Sequence, residues 1–338
     1  MDNKKILLIA TGGTIASRYT ENGLSPQISG SELLKFIPEA KAFCRIDTIQ
    51  PFSLDSTNVQ WKHWLMLSEL IHKHYDSYDG FVICHGTDTM AYTAAALSYL
   101  IQHSSKPIVI TGAQRPIDLP DTDARTNLLD SVRFAADARA HDVCMVFGGV
   151  VIAGTRAKKE RTKSYDAFSS INYPPIAVIQ DKRIIFYIDD KKHDTAPVSF
   201  SDSLDPNVFL YRMIPGSDGT VLDVLMDKYD ALIIESFGVG GIPDYGDASF
   251  REAIRKWTSA GKEVVMSTQV PNEGSDMSIY EVGHAVKNAY DIPESYDMTL
   301  EAVIAKTMWI LGKTRDRKKF RKLFYTSINH DLLFIPEN

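Results

Sequence analysis

Short, uninterrupted apolar runs alternate with longer segments of helical periodicity along this chain, and this alternation is the strongest constraint on its fold. The apolar runs are residues 6–10, 81–84, 107–111 and 143–147. Helical periodicity is found in residues 61–75, 88–101 and 123–138. Strands that are apolar along their whole length are typical of a parallel sheet covered by helices on both faces. The sequence therefore predicts a doubly wound, mostly parallel α/β domain.

A polar stretch divides this pattern into two parts. Residues 189–205 begin with six consecutive charged or histidine residues and continue with a proline and several serines, a composition typical of a linker. Beyond it the alternation resumes, with helices predicted at 218–228, 248–259, 299–311 and 314–324 and strands at 231–235 and 263–267. We therefore predict an N-terminal α/β domain over residues 1–188, a linker over 189–205 and a smaller C-terminal α/β domain over 206–338.

Composition and charge exclude several classes of protein. The chain has 43 acidic and 37 basic residues, a formal net charge of −6, so a nucleic-acid partner is not expected. No window approaches the ~18 apolar residues of a membrane span. The apolar stretch at 6–10 is too short for a secretory signal, so we expect the mature chain to begin here.

The cysteines and histidines give no sign of a disulfide framework or a metal centre. Cys44, Cys84 and Cys144 stand far apart without a Cys-x-x-Cys spacing, which favours a reducing cytoplasm. His72 and His74 are two residues apart on a predicted helix, so their side chains diverge. We expect no bound metal.

Polar side chains gather where the predicted strands end. The segments are residues 11–17, 54–58, 85–90 and 111–114, each of which carries hydroxyl, amide or carboxylate groups. In open parallel sheets, ligands bind at the carboxyl ends of the strands. We therefore expect these segments to converge on one cleft.

Two of these segments allow both a functional and a structural interpretation. Gly12-Gly13 permits close backbone approach and leaves N–H groups available for an oxyanion, or it is only a tight strand exit. The sequence around it lacks the Gly-x-Gly-x-x-Gly pattern of a dinucleotide site. Asp88 follows a hydroxyl residue at a strand–helix junction and is either catalytic or an ordinary helix N-cap.

A threonine hydroxyl is a poor nucleophile unless a base activates it, and the chain has neither a Gly-x-Ser-x-Gly elbow nor a catalytic cysteine motif. A lysine near a carboxylate is a candidate proton relay. Lys158, Lys159 and Lys163 are the lysines available for this role, although a charge run of this kind also fits a solvated face.

Two motifs in order resemble the paired signature of bacterial-type L-asparaginases, and the resemblance is closest to the cytoplasmic type I group. They are Thr11-Gly12-Gly13-Thr14-Ile15-Ala16-Ser17 and His85-Gly86-Thr87-Asp88-Thr89-Met90. Further similar segments are residues 78–81, 108–112, 165–168 and 276–283, so the resemblance covers nearly the whole chain.

The resemblance implies hydrolysis of L-asparagine to L-aspartate and ammonia through a threonine acyl-enzyme, with no cofactor. It implies that Thr14 is the nucleophile and that Thr87, Asp88 and Lys159 form a proton relay. The substrate-binding residues that it implies are Asp55, Ser56, Thr57, Thr87 and Asp88. It also implies a homodimer or homotetramer.

One departure and several alternatives accompany the resemblance. The resemblance implies that many relatives have a tyrosine in the mobile loop after the nucleophile, whereas this chain has Leu24 at the matching point and Tyr19 nearby. A glutaminase–asparaginase and a non-catalytic amino-acid-binding protein remain alternatives. Archaeal tRNA-linked amidotransferase subunits carry an extra N-terminal domain, for which a first strand at about Lys4 leaves no room, and a nucleotide-binding oxidoreductase lacks its fingerprint.

Overall fold

The computed structural model describes residues 4–188, 196–244 and 248–334. It divides the chain into two compact units, residues 1–202 and 203–338, and each unit contains its own sheet. Residues 189–195 of the predicted linker lie outside the described residues. The domain limits 1–188 and 206–338 therefore stay a prediction.

The first unit contains a large sheet, several two-stranded pairs and four α-helices among its described residues. Its strands are β1 (Lys4–Ala10), β2 (Ser17–Thr20), β3 (Gly23–Pro26), β4 (Cys44–Ile49), β5 (Gly80–Cys84), β6 (Ile101–Gln102), β7 (Ile108–Thr111), β8 (Val143–Phe147), β9 (Val150–Ala153), β10 (Ala157–Lys159), β11 (Phe168–Ser170), β12 (Ala177–Gln180), β13 (Arg183–Phe186) and β14 (Ser199–Phe200). Its helices are α1 (Gly30–Leu33), α2 (Trp61–His74), α3 (Met90–Leu100) and α4 (Ala124–Ala135).

The large sheet has eight strands in the order β13-β12-β9-β8-β7-β5-β1-β4. The five strands from β8 to β4 run parallel, whereas β9, β12 and β13 extend one side of the sheet in antiparallel register. The predicted apolar strands are confirmed as β1, β5, β7 and β8, and all residues of β5, β7 and β8 are buried. The mostly parallel α/β prediction is therefore correct, and the antiparallel extension is an addition to it.

Alternate residues of a strand point to opposite faces of the sheet, so apolar strands need helices to cover both faces. Ile6 and Leu8 of β1 share one core with Leu128 and Val132 of α4. Burial of each such aliphatic side chain contributes about 1.5–3 kcal/mol relative to exposure. The apolar face of α4 is thus what holds it on the sheet.

The second unit is a smaller α/β unit. Its strands are β15 (Val208–Arg212), β16 (Ala231–Ser236) and β17 (Glu263–Thr268), which form a parallel sheet in that order. Its helices are α5 (Val221–Leu225), α6 (Ser249–Ser259), α7 (Glu281–Tyr290), α8 (Leu300–Leu311) and α9 (Arg317–Phe324). Its core joins Phe250 and Trp257 of α6 to Leu232 and Ile234 of β16.

Two helices in this unit have limits that differ from the prediction. The helix predicted at 314–324 begins at Arg317 because the Asp316 carboxylate accepts the N–H of Lys319 at 2.8 Å. The helix predicted at 218–228 is shortened to Val221–Leu225. In the described parts of the chain, no helix is both long and apolar enough to cross a membrane.

Candidate active site

Three chain segments meet at the carboxyl edge of the large sheet, and glycines make their contact possible. A Cβ atom on Gly13 would lie 2.3 Å from the backbone nitrogen of Gly86, and one on Gly12 would lie 2.4 Å from the carbonyl oxygen of Leu54. A Cβ on Gly86 would lie 2.7 Å from Ser56 Oγ. Gly12 and Gly13 also have φ values of +102° and +75°. Only glycine fits such approaches and conformations.

This contact brings the two candidate threonines near each other in the fold. Thr14 directly follows Gly13, and Thr87 directly follows Gly86. Thr14 is half-buried at the start of the 3₁₀ turn Thr14–Ala16, and Thr87 is 6% exposed. The Gly13 N–H donates to the Leu54 carbonyl oxygen at 2.9 Å. The expectation that this N–H is available for an oxyanion is therefore wrong.

A lysine links Thr87 to Asp88. Lys159 Nζ donates to Thr87 Oγ1 at 2.8 Å and lies 2.6 Å from Asp88 Oδ1. The Lys159 side chain is 16% exposed, whereas that of Asp88 is 58% exposed. Lys158 precedes Lys159 on β10, and successive strand residues point to opposite faces. Among the three candidate lysines, Lys159 is thus the one that contacts both residues.

Asp88 is not the N-cap of the following helix. Helix α3 begins at Met90, and Thr89 occupies the N-cap position without a side-chain capping bond. The Thr89 hydroxyl instead donates to the Ser56 carbonyl oxygen at 2.7 Å, and the Asp88 N–H donates to Ser56 Oγ at 3.3 Å. The capping interpretation of Asp88 is therefore wrong, and its carboxylate is paired with Lys159 instead.

The substrate-binding candidates Asp55, Ser56 and Thr57 lie at the start of the 3₁₀ turn Ser56–Asn58, of which Asp55 is the N-cap. Of the three, Ser56 contacts the glycines described above. Ser56 is 3% exposed and lies against Gly86. Asp55 and Thr57 are exposed and bind each other, with Asp55 Oδ1 accepting the Thr57 N–H at 2.9 Å and the Thr57 hydroxyl at 2.8 Å. The Asp55 side chain is thus held in place by the turn that it begins.

Gln114 and Asp123 also contact this site, although no role for them was predicted from the sequence. Thr87 Oγ1 donates to Gln114 Oε1 at 3.4 Å, and Gln114 Nε2 donates to the Ser164 carbonyl oxygen at 3.0 Å. The Asp123 carboxylate accepts the N–H groups of Gln114 and Arg115 at 2.9 and 3.1 Å. Burial raises the pKa of Asp123, and these amide donors oppose that rise. The only sequence signal was the position of Gln114 after a predicted strand.

The segment after the candidate nucleophile is a β-hairpin. Strands β2 and β3 pair in antiparallel register, with Tyr19 opposite Leu24. Tyr19 is 67% exposed and Leu24 is 43% exposed. Directly opposite residues of an antiparallel pair lie on the same face of the hairpin. Tyr19 and Leu24 therefore share one exposed face.

In residues 4–188, 196–244 and 248–334, no three His, Cys, Asp or Glu side chains cluster in a way that would hold a metal ion. The chemically active groups of the site described above are hydroxyls, one ammonium and carboxylates.

Two protein-family models match the chain. A family model for "Asparaginase, N-terminal" matches residues 5–192, and a model for "Glutaminase/Asparaginase C-terminal domain" matches residues 207–324. The chain belongs to the asparaginase family. The predicted family resemblance is thereby confirmed, and the protein is an enzyme of the amidohydrolase class.

Individual family members agree over nearly the whole chain. An L-asparaginase of Thermococcus kodakarensis is 37% identical over 325 residues, which are 96% of this chain and 98% of the relative. The solved structure of the thermostable L-asparaginase from that organism has a TM-score of 0.91 at 35% identity, covering 98% of this chain and 100% of the other. L-asparaginase I from Vibrio cholerae O1 biovar eltor has a TM-score of 0.87 at 26% identity, with coverages of 98% and 100%.

Some similar proteins are named for a reaction other than asparagine hydrolysis. A glutamyl-tRNA(Gln) amidotransferase component from Pyrococcus abyssi is 34% identical over 335 residues, which are 96% of this chain and 75% of the relative. Family membership by itself therefore does not fix the substrate of this enzyme.

Proposed function

We propose that this enzyme hydrolyses L-asparagine to L-aspartate and ammonia through an ester on a threonine side chain, without a cofactor. The observation that carries the proposal is the double contact of Lys159, at 2.8 Å from the Thr87 hydroxyl and 2.6 Å from the Asp88 carboxylate. Such a group can move a proton to or from a hydroxyl or a water without histidine. Relatives named L-asparaginase support the choice of substrate.

In the first half-reaction, Thr14 Oγ bonds to the side-chain carbonyl carbon of asparagine. The C–N bond breaks, the departing nitrogen takes up the hydroxyl proton, and ammonia leaves a β-aspartyl ester on Thr14. The contact between the backbones of Gly13 and Gly86 supports this role, because it brings Thr14 near the Thr87–Lys159–Asp88 group. Splitting the reaction in this way is nucleophilic catalysis.

In the second half-reaction, water adds to the ester carbonyl carbon and the bond to Thr14 Oγ breaks. The attacking water gives its proton to Thr87 while the Thr87 hydroxyl proton moves to Lys159 and a Lys159 proton moves to the Asp88 carboxylate. The same relay returns a proton to Thr14 Oγ as L-aspartate leaves. The Lys159 ammonium is held between a hydroxyl and a carboxylate, which suits it to this transfer.

The free amino acid is a zwitterion, and the proposed binding residues match its two charges. Asp88 supplies a partly exposed carboxylate for the α-ammonium group. Asp55 adds a second carboxylate for the α-ammonium group and is held in place by the N–H and hydroxyl of Thr57. The Ser56 hydroxyl suits the α-carboxylate. Thr87 completes the set. Charged hydrogen bonds of this kind select a free amino acid over a peptide.

Glutamine hydrolysis is the second candidate activity, because the matching C-terminal family model carries both glutaminase and asparaginase in its description. The two substrates differ by one methylene, which is worth only about 1–3 kcal/mol in a pocket. The same site and mechanism would serve both substrates.

The hairpin of β2 and β3 is proposed as a lid over the bound substrate. Leu24 lacks the hydroxyl of the tyrosine that the family resemblance places there, and Tyr19 faces the same side of the hairpin. Assembly into a homodimer or homotetramer and a cytoplasmic location are also proposed. All three cysteines are free and buried, which is consistent with a reducing compartment.

Ammonia release from L-asparagine and L-glutamine, measured side by side over a concentration series, tests the function. We expect turnover of asparagine, with at least ~10³-fold loss in Thr14→Ala and measurable activity in Thr14→Ser. In Thr87→Ala, mass spectrometry should detect an aspartyl group on the peptide that contains Thr14. Near-normal turnover by Thr14→Ala, or an aspartyl group on Thr87 of Thr14→Ala, would contradict the assignment of the nucleophile.

A further inference from the structure

A chain of three buried side chains lies directly behind the Thr87–Asp88 turn. Trp64 of α2 is 6% exposed, and Thr93 of α3 and His85 at the end of β5 are fully buried. Trp64 Nε1 lies 2.9 Å from Thr93 Oγ1, and Thr93 Oγ1 lies 3.0 Å from His85 Nε2. The other ring nitrogen, His85 Nδ1, lies 2.7 Å from the carbonyl oxygen of Gly86.

The direction of every hydrogen bond in this chain can be assigned. An indole N–H only donates, so Thr93 Oγ1 accepts from Trp64. The Gly86 carbonyl oxygen only accepts, so the proton of the imidazole must lie on His85 Nδ1. His85 Nε2 therefore has a lone pair, and the Thr93 hydroxyl donates to it. The contact with Gly86 thus fixes the tautomer of the neutral His85 ring, and donation from Thr93 stabilises it.

The bond from His85 to Gly86 fixes the peptide that leads into Thr87. In a trans peptide the C=O and the following N–H point in opposite directions in one plane. A carbonyl of Gly86 held by His85 Nδ1–H therefore sets the plane of the Gly86–Thr87 peptide. The other side of Gly86 lies against the backbone of Gly13. His85 therefore supports the contact between Gly13 and Gly86 from the buried side.

We propose that His85, held in its Nδ1–H tautomer by the Gly86 carbonyl oxygen and by the Thr93 hydroxyl, is a positioning residue that sets the orientation of Thr87 for the relay with Lys159 and Asp88. This role rests on the proposed function, because it matters to catalysis only if Thr87 takes part in it. His85 touches neither Lys159 nor Asp88 by any hydrogen bond among the described residues, and it acts through the backbone of Gly86.

The imidazole is also kept uncharged. Burial lowers the pKa of His85 to about 4, with a smaller lowering from the charge of His63, while the bond to Gly86 opposes both. The neutral ring is the form that can accept from Thr93 and donate to Gly86 at the same time. A protonated ring would have two donors and would face the Thr93 hydroxyl oxygen with a second N–H.

Nitrogen NMR of the full chain, labelled at its nine histidines, tests the tautomer directly. The His85 resonances are assigned by their loss in His85→Asn. We expect a neutral ring at pH 7 with the proton on Nδ1, and a larger Nε2–H fraction in Thr93→Val than in Thr93→Ser. An Nε2–H ring or an imidazolium in the wild-type protein would overturn the proposal.

Kinetics of two variants of similar size test the positioning role. Asparagine at position 85 has an N–H donor at the δ position, whereas leucine has the same branching without a donor. We expect kcat to fall between about 10-fold and 10²-fold in His85→Leu, because misplacement of a catalytic group reduces the chemical step. We expect KM to change less than ~3-fold in both variants and kcat of His85→Asn to stay within ~3-fold of wild type.

The outcomes separate the positioning role from the proposed function. His72→Gln changes an exposed histidine of α2 and is expected to leave kcat unchanged. Thr93→Val and Thr93→Ser supply the same comparison if His85→Leu does not fold. A wild-type protein without amide hydrolysis would contradict the proposed function and the positioning role together. An active wild-type protein with equal kcat in His85→Leu and His85→Asn would contradict the positioning role alone.

Discussion

Two lysine–aspartate pairs of nearly equal length lie in opposite surroundings in the two units. In the first unit, Lys159 Nζ lies 2.6 Å from Asp88 Oδ1, and the two side chains are 16% and 58% exposed. In the second unit, Lys306 Nζ lies 2.7 Å from Asp331 Oδ2, and neither side chain is exposed. The distance between the charges is nearly the same in both pairs. Any difference in their roles must therefore come from their surroundings.

The further partners of each pair explain the difference. Lys306 also donates to the Thr326 carbonyl oxygen at 2.8 Å, and Asp331 also accepts the Ile328 N–H at 2.8 Å. These contacts tie α8 to the chain after α9. Burial lowers the pKa of Lys306, and the Asp331 carboxylate opposes that shift.

The other contact of Lys159 is a side-chain hydroxyl, Thr87, and Asp88 is open to solvent. A structural pair satisfies its atoms with backbone groups, whereas the pair at the proposed active site faces a group that can react. The following predictions test whether one pair serves stability and the other catalysis.

Replacement of Lys306 should have the largest effect, and that effect should be on stability. Lys306→Met leaves the Asp331 carboxylate buried without its ammonium, which costs about 3–5 kcal/mol. Urea unfolding measures the loss. The double variant Lys306→Met/Asp331→Leu removes both charges and should recover most of it. A single variant within about 1 kcal/mol of wild type would mean that the buried pair is not structural.

Replacement of Lys159 should instead affect turnover. We expect kcat to fall at least ~10²-fold in Lys159→Met, because the relay to Thr87 is lost. The free energy of unfolding should change by no more than about 1 kcal/mol, since Asp88 is largely exposed. Lys158→Met is the matched control and should keep near-normal turnover. Equal losses in both lysine variants would contradict the assignment of Lys159.

The stability of the first unit should depend on pH through His85, which lies behind the pair of Lys159 and Asp88. The pKa of His85 is lowered from 6.5 to about 4 by burial. The unfolded chain therefore binds this proton at higher pH than the folded protein does. The stability that neutral His85 contributes is fully present above about pH 6.5 and is lost as the pH falls towards 4.

This effect is measured as the difference in unfolding free energy between wild type and His85→Asn, because other titrating groups are common to both proteins. We expect this difference to shift against the wild type by up to about 3 kcal/mol between pH 7 and pH 4. A difference that does not vary with pH would mean that His85 titrates alike in the folded and unfolded states.

Replacement of Gln114 should have the smallest effect. Its bond to Thr87 is 3.4 Å long, and a neutral hydrogen bond contributes about 0.5–1.5 kcal/mol. We therefore expect Gln114→Met to reduce kcat by about 3–10-fold, measured by ammonia release. Gln114→Glu retains an acceptor for Thr87 and should fall less. A loss as large as that in Lys159→Met would give Gln114 a direct part in the relay.

The central fold was predictable from the sequence because its strands are apolar along their whole length. The antiparallel strands β9, β12 and β13 were not predicted, and neither was the hairpin of β2 and β3. Strand β13 alternates exposed and half-buried residues over only four positions, which is too short a pattern to identify a strand. Its position at the edge of the sheet follows from pairing with β12, a contact that the sequence does not state.

The candidate site was predictable in its residue types and only partly in its contacts. Adjacent lysines at 158 and 159 cannot be separated by composition, whereas the alternation of side chains along β10 separates them. Asp88 stands where an N-cap would stand, and only the actual start of α3 at Met90 removes that interpretation.

The sequence by itself determined the parallel α/β architecture and the residue types that gather at the strand ends, because both depend on local pattern and on glycine at fixed positions. The tertiary structure decided which of those residues meet. Gly13 touches Gly86, Lys159 reaches Thr87, and Trp64, Thr93 and His85 form one chain of hydrogen bonds. The residues of each of these contacts are separated by between 8 and 73 positions of chain. Only the packing of strands and helices closes such distances, so no local pattern encodes them.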